Sequence, residues 1–240
     1  MSYLSLDRAP VSTPLKLVGA TDRGLAERLA RLGLEPGARL TRLPDEVRLQ
    51  PARVAGPRGE AVLSANMAGS LLVHLDDGRK LPLLDLAPGE EGHVEGLTVG
   101  GRLARAFEVL GLMENDRLRL LRRLPPMEYV VLLEGRRRAR LSEGMAAKVW
   151  GQVAGRKQQL ATAQSGHPFT VLEFLGGPNF AAAMAALGLA VGSSLELETV
   201  EPAQSVGQKA AAAVALATAG GLRLYLDQKS ARAVLVQPAG

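Results

Sequence analysis

A chain of 240 residues with 47% hydrophobic but only 3% aromatic residues must bury an aliphatic core of Leu, Val and Ala. The absence of cysteine excludes a disulfide framework, a thiolate metal site and a cysteine nucleophile. A net charge of +5 with a pI near 9.9 brings nucleic acid and anionic membrane surfaces into consideration as partners. The opening MSYLSLDRAP lacks the basic start and apolar run of a secretory signal, and no stretch approaches ~18 uninterrupted apolar residues, so a cytoplasmic protein is expected.

The first helix in chain order is marked by Leu25, Leu29 and Leu32, an i, i+4, i+7 stripe that makes one helical face, with the small Ala26 beside it. Leu32-Gly33-Leu34 ends it, because a glycine just past the last turn adopts the left-handed cap at least cost. Gly37 then turns the chain into a strand that starts near Leu40. The same sequence of signals returns twice. The second set is Leu103, Ala104, Phe107 and Leu110, then Gly111, Asn115 and the alternating Arg117-Leu118-Arg119-Leu120. The third is Phe180, Ala181, Met184 and Leu187, then Gly188, Gly192 and Leu195-Glu196-Leu197-Glu198. Asn115 stands where the other copies have glycine, and Asn is the residue that best tolerates positive φ after Gly.

The Leu-Gly-Leu tripeptides lie 78 and 77 residues apart, too long a period for a stacked solenoid, so the chain reads as small modules in tandem. The first two copies also share an ending, Leu63-Ser64-Ala65-Asn66-Met67-Ala68 and Leu141-Ser142-Glu143-Gly144-Met145-Ala146. The third keeps a strand pair, Leu222 to Leu226 and Ala233 to Val236, around an expected turn at Asp227-Gln228-Lys229-Ser230, and lacks the Leu-Ser-x-x-Met-Ala ending. Borders are expected at Lys80 to Pro82 and in the polar segment Val153 to Gly166, the better hinge candidate; the modules are 13–81, 82–152 and 166–238. Ala210 to Ala217 fits a helix by propensity and a strand by its Val214 and Leu216 alternation.

The middle copy resembles the FeoA family of ferrous iron transport accessory proteins. Leu84-Asp85-Leu86-Ala87-Pro88-Gly89 and Gly92 match the family's opening, Arg102-Leu103 its helix start, Leu110-Gly111-Leu112 its cap, and Tyr129 to Leu133 with Arg137 to Val149 its closing strands. The first copy lacks that opening but keeps the family's Pro36-Gly37, where the middle copy has Glu114-Asn115. The resemblance implies a mainly β fold with short helices: three SH3-like small β-barrels, each with an inserted α-helix, like the C-terminal domain of iron-dependent repressors. It also implies a non-enzymatic cytosolic partner of the membrane transporter FeoB, contacting its GTPase domain, with metal association known only through the family.

Among the residues themselves, Arg136, Arg137, Arg138 and Arg140, with Arg122 and Arg123 on the preceding strand, form the densest basic feature. It reads either as a solvated turn and strand edge or as a surface for an acidic partner or lipid headgroup. His74, His93 and His167 share no helical or strand spacing, so no metal site and no cofactor are expected. Gly176-Gly177-Pro178-Asn179 is expected to be a helix-start turn, since no Gly-Lys-Ser/Thr follows for a phosphate loop. No catalytic arrangement of Ser, His and Asp or of paired carboxylates is visible. The alternative to a transport accessory is a nucleic-acid-binding or iron-dependent regulatory module, or a structural protein whose iron role is lost. Few aromatics and no helix-turn-helix argue against nucleic acid.

Overall fold

The structure, a computed structural model, describes residues 3–203 and 212–239. The chain begins with β1 (Leu4–Ser5), a 3-10 turn (Leu6–Arg8), β2 (Pro14–Ala20), α1 (Arg23–Arg31) and β3 (Arg39–Arg48). There follow β4 (Ala52–Gly56), β5 (Gly59–Leu63), α2 (Ala65–Ser70), β6 (Leu71–Leu75), β7 (Lys80–Pro82), a second 3-10 turn (Leu83–Asp85), β8 (Glu91–Leu97), α3 (Arg102–Leu110) and β9 (Arg117–Arg123). The next run is β10 (Met127–Leu133), β11 (Arg137–Ser142), α4 (Glu143–Ala146), β12 (Val149–Val153), β13 (Arg156–Gln159), a third 3-10 turn (Leu160–Thr162), β14 (Pro168–Phe174), α5 (Pro178–Ala186) and β15 (Ser194–Pro202). Last come β16 (Ala212–Thr218), β17 (Arg223–Asp227), α6 (Gln228–Ala233) and β18 (Val234–Pro238).

Local structure follows the sequence pattern. Leu25 and Leu29, Phe107 and Leu110, and Met184 are the buried faces of α1, α3 and α5. Asp22 starts α1 by accepting the Leu25 N–H at 2.6 Å. Gly33, Gly111 and Gly188 end the three helices at φ of 81°, 70° and 79°, and Gly37, Asn115 and Gly192 turn the chain at 98°, 69° and 89°. Along β9, Leu118 and Leu120 are buried while Arg117 and Arg119 are exposed, as period-2 alternation requires.

Strand pairing does not follow the copies one to one. Three six-stranded sheets form, ordered β1-β18-β2-β3-β16-β17, β5-β4-β9-β8-β6-β7 and β11-β10-β15-β14-β12-β13. We call them the terminal, first internal and second internal sheets. Within each copy the two strands flanking the long helix stay together, but the hairpin that follows crosses to the next sheet. Thus β4 pairs with β9, not β3 (Ala52↔Arg123), β10 pairs with β15 (Met127↔Pro202), and β16 returns to β3 (Ala213↔Val47). The sheets therefore do not coincide with the stretches 13–81, 82–152 and 166–238. The internal sheets are the continuous stretches 52–123 and 127–202, and the terminal sheet joins both chain ends.

Both expected linkers are paired strands. Lys80 to Pro82 is β7, bonded to β6, and the polar segment after Val153 folds back as β13, with Trp150 opposite Gln159 and a left-handed turn at Ala154 and Gly155. Backbone N–H and C=O groups that a free linker would leave to water are satisfied by the ladder. In the terminal sheet the matching place is filled by β1, which pairs with β18 through Leu4↔Val236 and Ser5↔Leu235, so the two chain ends are joined by hydrogen bonds. The first copy's missing opening is present as structure, since Leu6–Arg8 forms the same 3-10 turn as Leu83–Asp85. The expected turn at Asp227 to Ser230 is α6, started by the Asp227 carboxylate accepting the Ser230 N–H at 2.7 Å. Ala212 to Ala217 lies in strand β16; Ala210 and Ala211 fall outside the described residues.

Each sheet has its own apolar cluster, and the clusters trade residues across the seams. Leu175 and Trp150 of the second internal sheet pack on the first internal core, Val62 crosses the other way, and Ala213, Ala215 and Tyr225 of the terminal sheet also enter the first internal core. The seam between the internal sheets is clamped by Gln159, 1% exposed. Its Oε1 accepts the Val62 N–H at 2.8 Å, and its Nε2 donates to the carbonyls of Val62 at 2.9 Å and Ala147 at 2.6 Å. One amide thus replaces a missing strand along the edge of β5.

Two outcomes are expected. A fragment covering 49–124, which holds every strand of the first internal sheet, unfolds cooperatively as a monomer, whereas 81–153 does not; denaturation with sedimentation measurement checks this. Replacing Gln159 by Leu removes the partner of three backbone groups, the N–H and carbonyl of Val62 and the carbonyl of Ala147, and costs at least about 3 kcal/mol in urea unfolding, given roughly 1–3 kcal/mol per orphaned group.

Candidate functional site

The basic feature sits on the hairpin of β10 and β11. Glu134 and Gly135 both take left-handed backbone, φ 49° and 68°, in a tight turn whose twist suits the flanking strands. Beyond it Ala139 and Leu141 are buried, so Arg138 and Arg140 face solvent together. Arg138 holds Glu198 with two bonds, Nε at 2.7 Å and Nη2 at 3.0 Å, and that pairing lowers the Glu198 carboxyl below its ordinary range. Arg140 sits between Glu128 at 3.2 Å and Glu201 at 3.3 Å, and these two carboxylates face each other across β10 and β15.

The remaining arginines divide into structural and free. Arg123 donates to the carbonyls of Leu84 and Leu86, at 2.6 Å and 2.7 Å from Nη2, and so fastens the second 3-10 turn to β9. Arg137 donates to the Leu187 carbonyl at 2.8 Å, in the last turn of α5, where unsatisfied carbonyls and the helix dipole both favour a cation. The first internal sheet repeats this arrangement. Arg58, in the turn between β4 and β5, reaches the Glu108 and Val109 carbonyls of α3 at 3.2 Å and 3.0 Å. In each case the hairpin from one copy caps the helix of the next. Arg122 and Arg136 are exposed and make no hydrogen bond or ion pair among the described residues.

These caps give the helix-ending glycines a second reason to lack a side chain. A Cβ on Gly188 would lie 1.4 Å from Arg137 Nη2, and one on Gly111 would lie 2.4 Å from Arg58 Cδ. Sequence spacing reveals the left-handed cap but not the guanidinium lying over it, because the arginine is contributed from about 50 residues upstream, on a different copy.

Histidines meet where spacing gives no hint. His74 on β6 lies directly opposite His93 on β8, while His167 is exposed elsewhere, ahead of β14. The carboxylates beside the pair are already engaged, Glu95 by Lys80 and Asp76 by Arg117 at 2.7 Å. Among the described residues no group of three His, Asp or Glu side chains is placed to hold a metal ion. Gly177 precedes α5 with Pro178 as its first residue, the helix-start turn expected there.

A cleft of about 420 Å³ opens between α1 and the β8 to α3 region, lined by Arg28, Leu32, Gly96, Gly100, Phe107 and Met113. Arg28 crosses its floor and donates to the Thr98 carbonyl at 3.3 Å. A Cβ on Gly100 would fall 2.5 Å from that guanidinium, so the glycine admits the arginine. At the same seam Tyr225 of β17 donates its hydroxyl to Asp85, and Arg223 pairs with Asp85 at 3.3 Å, joining the family-like opening of the middle copy to the terminal sheet.

The architecture is mainly β with few short helices, and the ends of α3 and α5 are capped by arginines. Residues 81–153, the middle copy, match the FeoA domain family. No curated protein and no solved structure matches the chain. The matched stretch straddles a seam: its first half, through β9, lies in the first internal sheet, and its second half, from β10, in the second. No helix among the described residues is long and apolar enough to cross a membrane.

The doubled role of Gly188 is testable. Gly188→Ala is expected to lose about 1–2 kcal/mol for its left-handed backbone and a further share for displacing Arg137. Gly166→Ala, at the same φ of 79° with nothing near its Cβ, loses only the first part. The further share disappears in the Arg137→Ala background when unfolding free energies are compared in a double-mutant cycle.

Proposed function

We propose that this protein is a non-enzymatic accessory or regulatory protein of ferrous iron transport, built from three FeoA-like, SH3-like modules that work without a resident cofactor. It binds the cytosolic GTPase domain of the transporter FeoB. The FeoA match over 81–153 carries this reading, since a role in ferrous iron transport is what that domain suggests. Repetition of the helix, its glycine cap and the following strand extends the reading to the flanking copies.

The contact surface we propose centres on Arg122 and Arg136, the two exposed members of the basic set that make no hydrogen bond or ion pair among the described residues. Arg138 and Arg140 are committed to glutamates on β10 and β15, and Arg123 and Arg137 to main-chain carbonyls. An acidic patch on the partner would be met by the free pair first, and the paired arginines would contribute only by exchanging carboxylates.

Co-purification with a tagged FeoB tests the reading. The native chain is expected to be retained, and the double charge reversal Arg122→Glu with Arg136→Glu weakens retention roughly tenfold, with strong dependence on salt. Failure to recover the native chain overturns the FeoB partnership. Recovery that ignores the double reversal keeps the partner but removes this surface.

A further inference from the structure

The seam between the two internal sheets contains a group that neither the clamp nor the proposed function uses. Glu143, the first residue of α4, is 2% exposed, and among the described residues neither of its carboxylate oxygens closes a hydrogen bond of full geometry, the Met127 backbone giving only partial compensation. Across the seam lies Ser64, whose buried hydroxyl is also without a partner and whose Cβ abuts Gly144. Arg53 of β4 has its Nε buried and unpartnered while its Nη1 is held by Glu60 of β5 at 3.2 Å. An ionised carboxylate placed here is expensive, and a neutral one is tolerated.

We propose that Glu143 is a proton-controlled latch: neutral, it lets the second internal sheet dock against the first, and its ionisation loosens that seam. The charged groups around it come from three strands. Arg53 on β4 and Arg122 on β9 favour the ionised form, as does the Met127 backbone at the start of β10, while the buried Tyr129 hydroxyl on β10 is held neutral, its pKa pushed up to about 12 by burial and by Glu143. Burial outweighs these neighbours and raises the Glu143 carboxyl to about 7. The sign follows. A carboxyl with a raised folded value stabilises the docked seam fully below its ordinary value of 4.5, and loses that advantage as pH rises to about 7.

The latch matters because the FeoA-matched stretch crosses this seam. Arg122 stands on one side of it and Arg136 on the other, so loosening changes the spacing of the two free arginines. The latch itself does not depend on the FeoB reading, and its test uses no partner.

Trp150 provides the signal. It is the only tryptophan in the chain, it belongs to β12 of the second internal sheet, and it packs on the core of the first. With the full-length protein, emission from Trp150 is expected to shift to the red as pH is raised from about 5 to 8, with unchanged far-ultraviolet circular dichroism. Glu143→Gln, which keeps the shape and removes the titration, is expected to hold the emission constant over that range. A native chain whose emission does not move, or a Glu143→Gln chain whose emission moves as the native does, overturns the latch; the second outcome would assign the change to another group, with Lys148, two residues before Trp150 and its ammonium pKa lowered by burial, the first to be replaced. Should Glu143→Gln fail to fold, carbon-13 titration of the native side-chain carboxyls decides: a Glu143 midpoint near neutrality supports the proposal, and one in the ordinary carboxylate range overturns it.

Discussion

The crossing of each hairpin from its own copy to the next sheet is the constraint on which the molecule depends. A sheet of this type needs the two strands flanking the long helix, a hairpin and two further strands, and no copy supplies all of these to one sheet. The first and second copies pass their hairpins forward, and the third passes its hairpin back to the first. The circuit is completed by the short β1 on β18, where the chain ends pair. Loop-closure entropy makes this last step the costly one, since it joins residues 4 and 236, whereas the internal crossings need only a few residues each. In return, the apolar cores interlock: Leu49, just after β3, and Leu124, just after β9, are each buried in the core of the sheet that the chain is about to build.

The elements were legible and their partners were not. Helical stripes, left-handed glycines and alternating strands are local properties, and they located α1, α3, α5 and the following strands from residue types alone. Pairing is not local, and a strand such as β10 carries the same Val and Leu alternation whether it returns onto β9 or reaches β15. A usable signal lay in the connections. Pro51 stands between β3 and β4, Pro125 and Pro126 between β9 and β10, and Pro202 ends β15. Proline fixes φ, removes a donor and pushes its predecessor into extended backbone, which favours a straight crossing over a tight hairpin turn. The Val153 to Gly166 segment misled for the opposite reason. Its polarity is that of an exposed strand, β13, and composition cannot distinguish such a strand from a linker.

The basic run was legible as a feature and ambiguous as a site, and the repeat resolves most of it. Val62, Arg140 and Tyr225 hold the same place, three residues before the start of α2, α4 and α6. On β5 and β17 this outward position is apolar and buried, because the neighbouring sheet covers it: Gln159 bonds the Val62 backbone, and Asp85 receives the Tyr225 hydroxyl. On β11 the position is Arg140, exposed and ringed by Glu128 and Glu201. An edge strand that faces water is defended against pairing by charge. Arg138 and Arg140 therefore belong to the economy of the fold, and only Arg122 and Arg136 are left over as candidates for recognition.

Linking three copies in one chain also explains why the seams differ. Identical subunits would be held to one interface repeated at every junction. Here the seam from the terminal to the first internal sheet is an ionic and phenolic contact among Asp85, Arg223 and Tyr225, and the next is an amide clamp beside a buried glutamate. The equivalent of Glu143 is Ala65 in the first copy and Gln228 in the third, so a carboxylate at this helix-start position occurs in the middle copy alone. A glutamate at every seam would multiply the cost of burying charge and leave the whole assembly sensitive to pH. Confined to one seam, it lets part of the molecule respond while the pairing of β1 with β18 and the Asp85 contact hold the remainder closed.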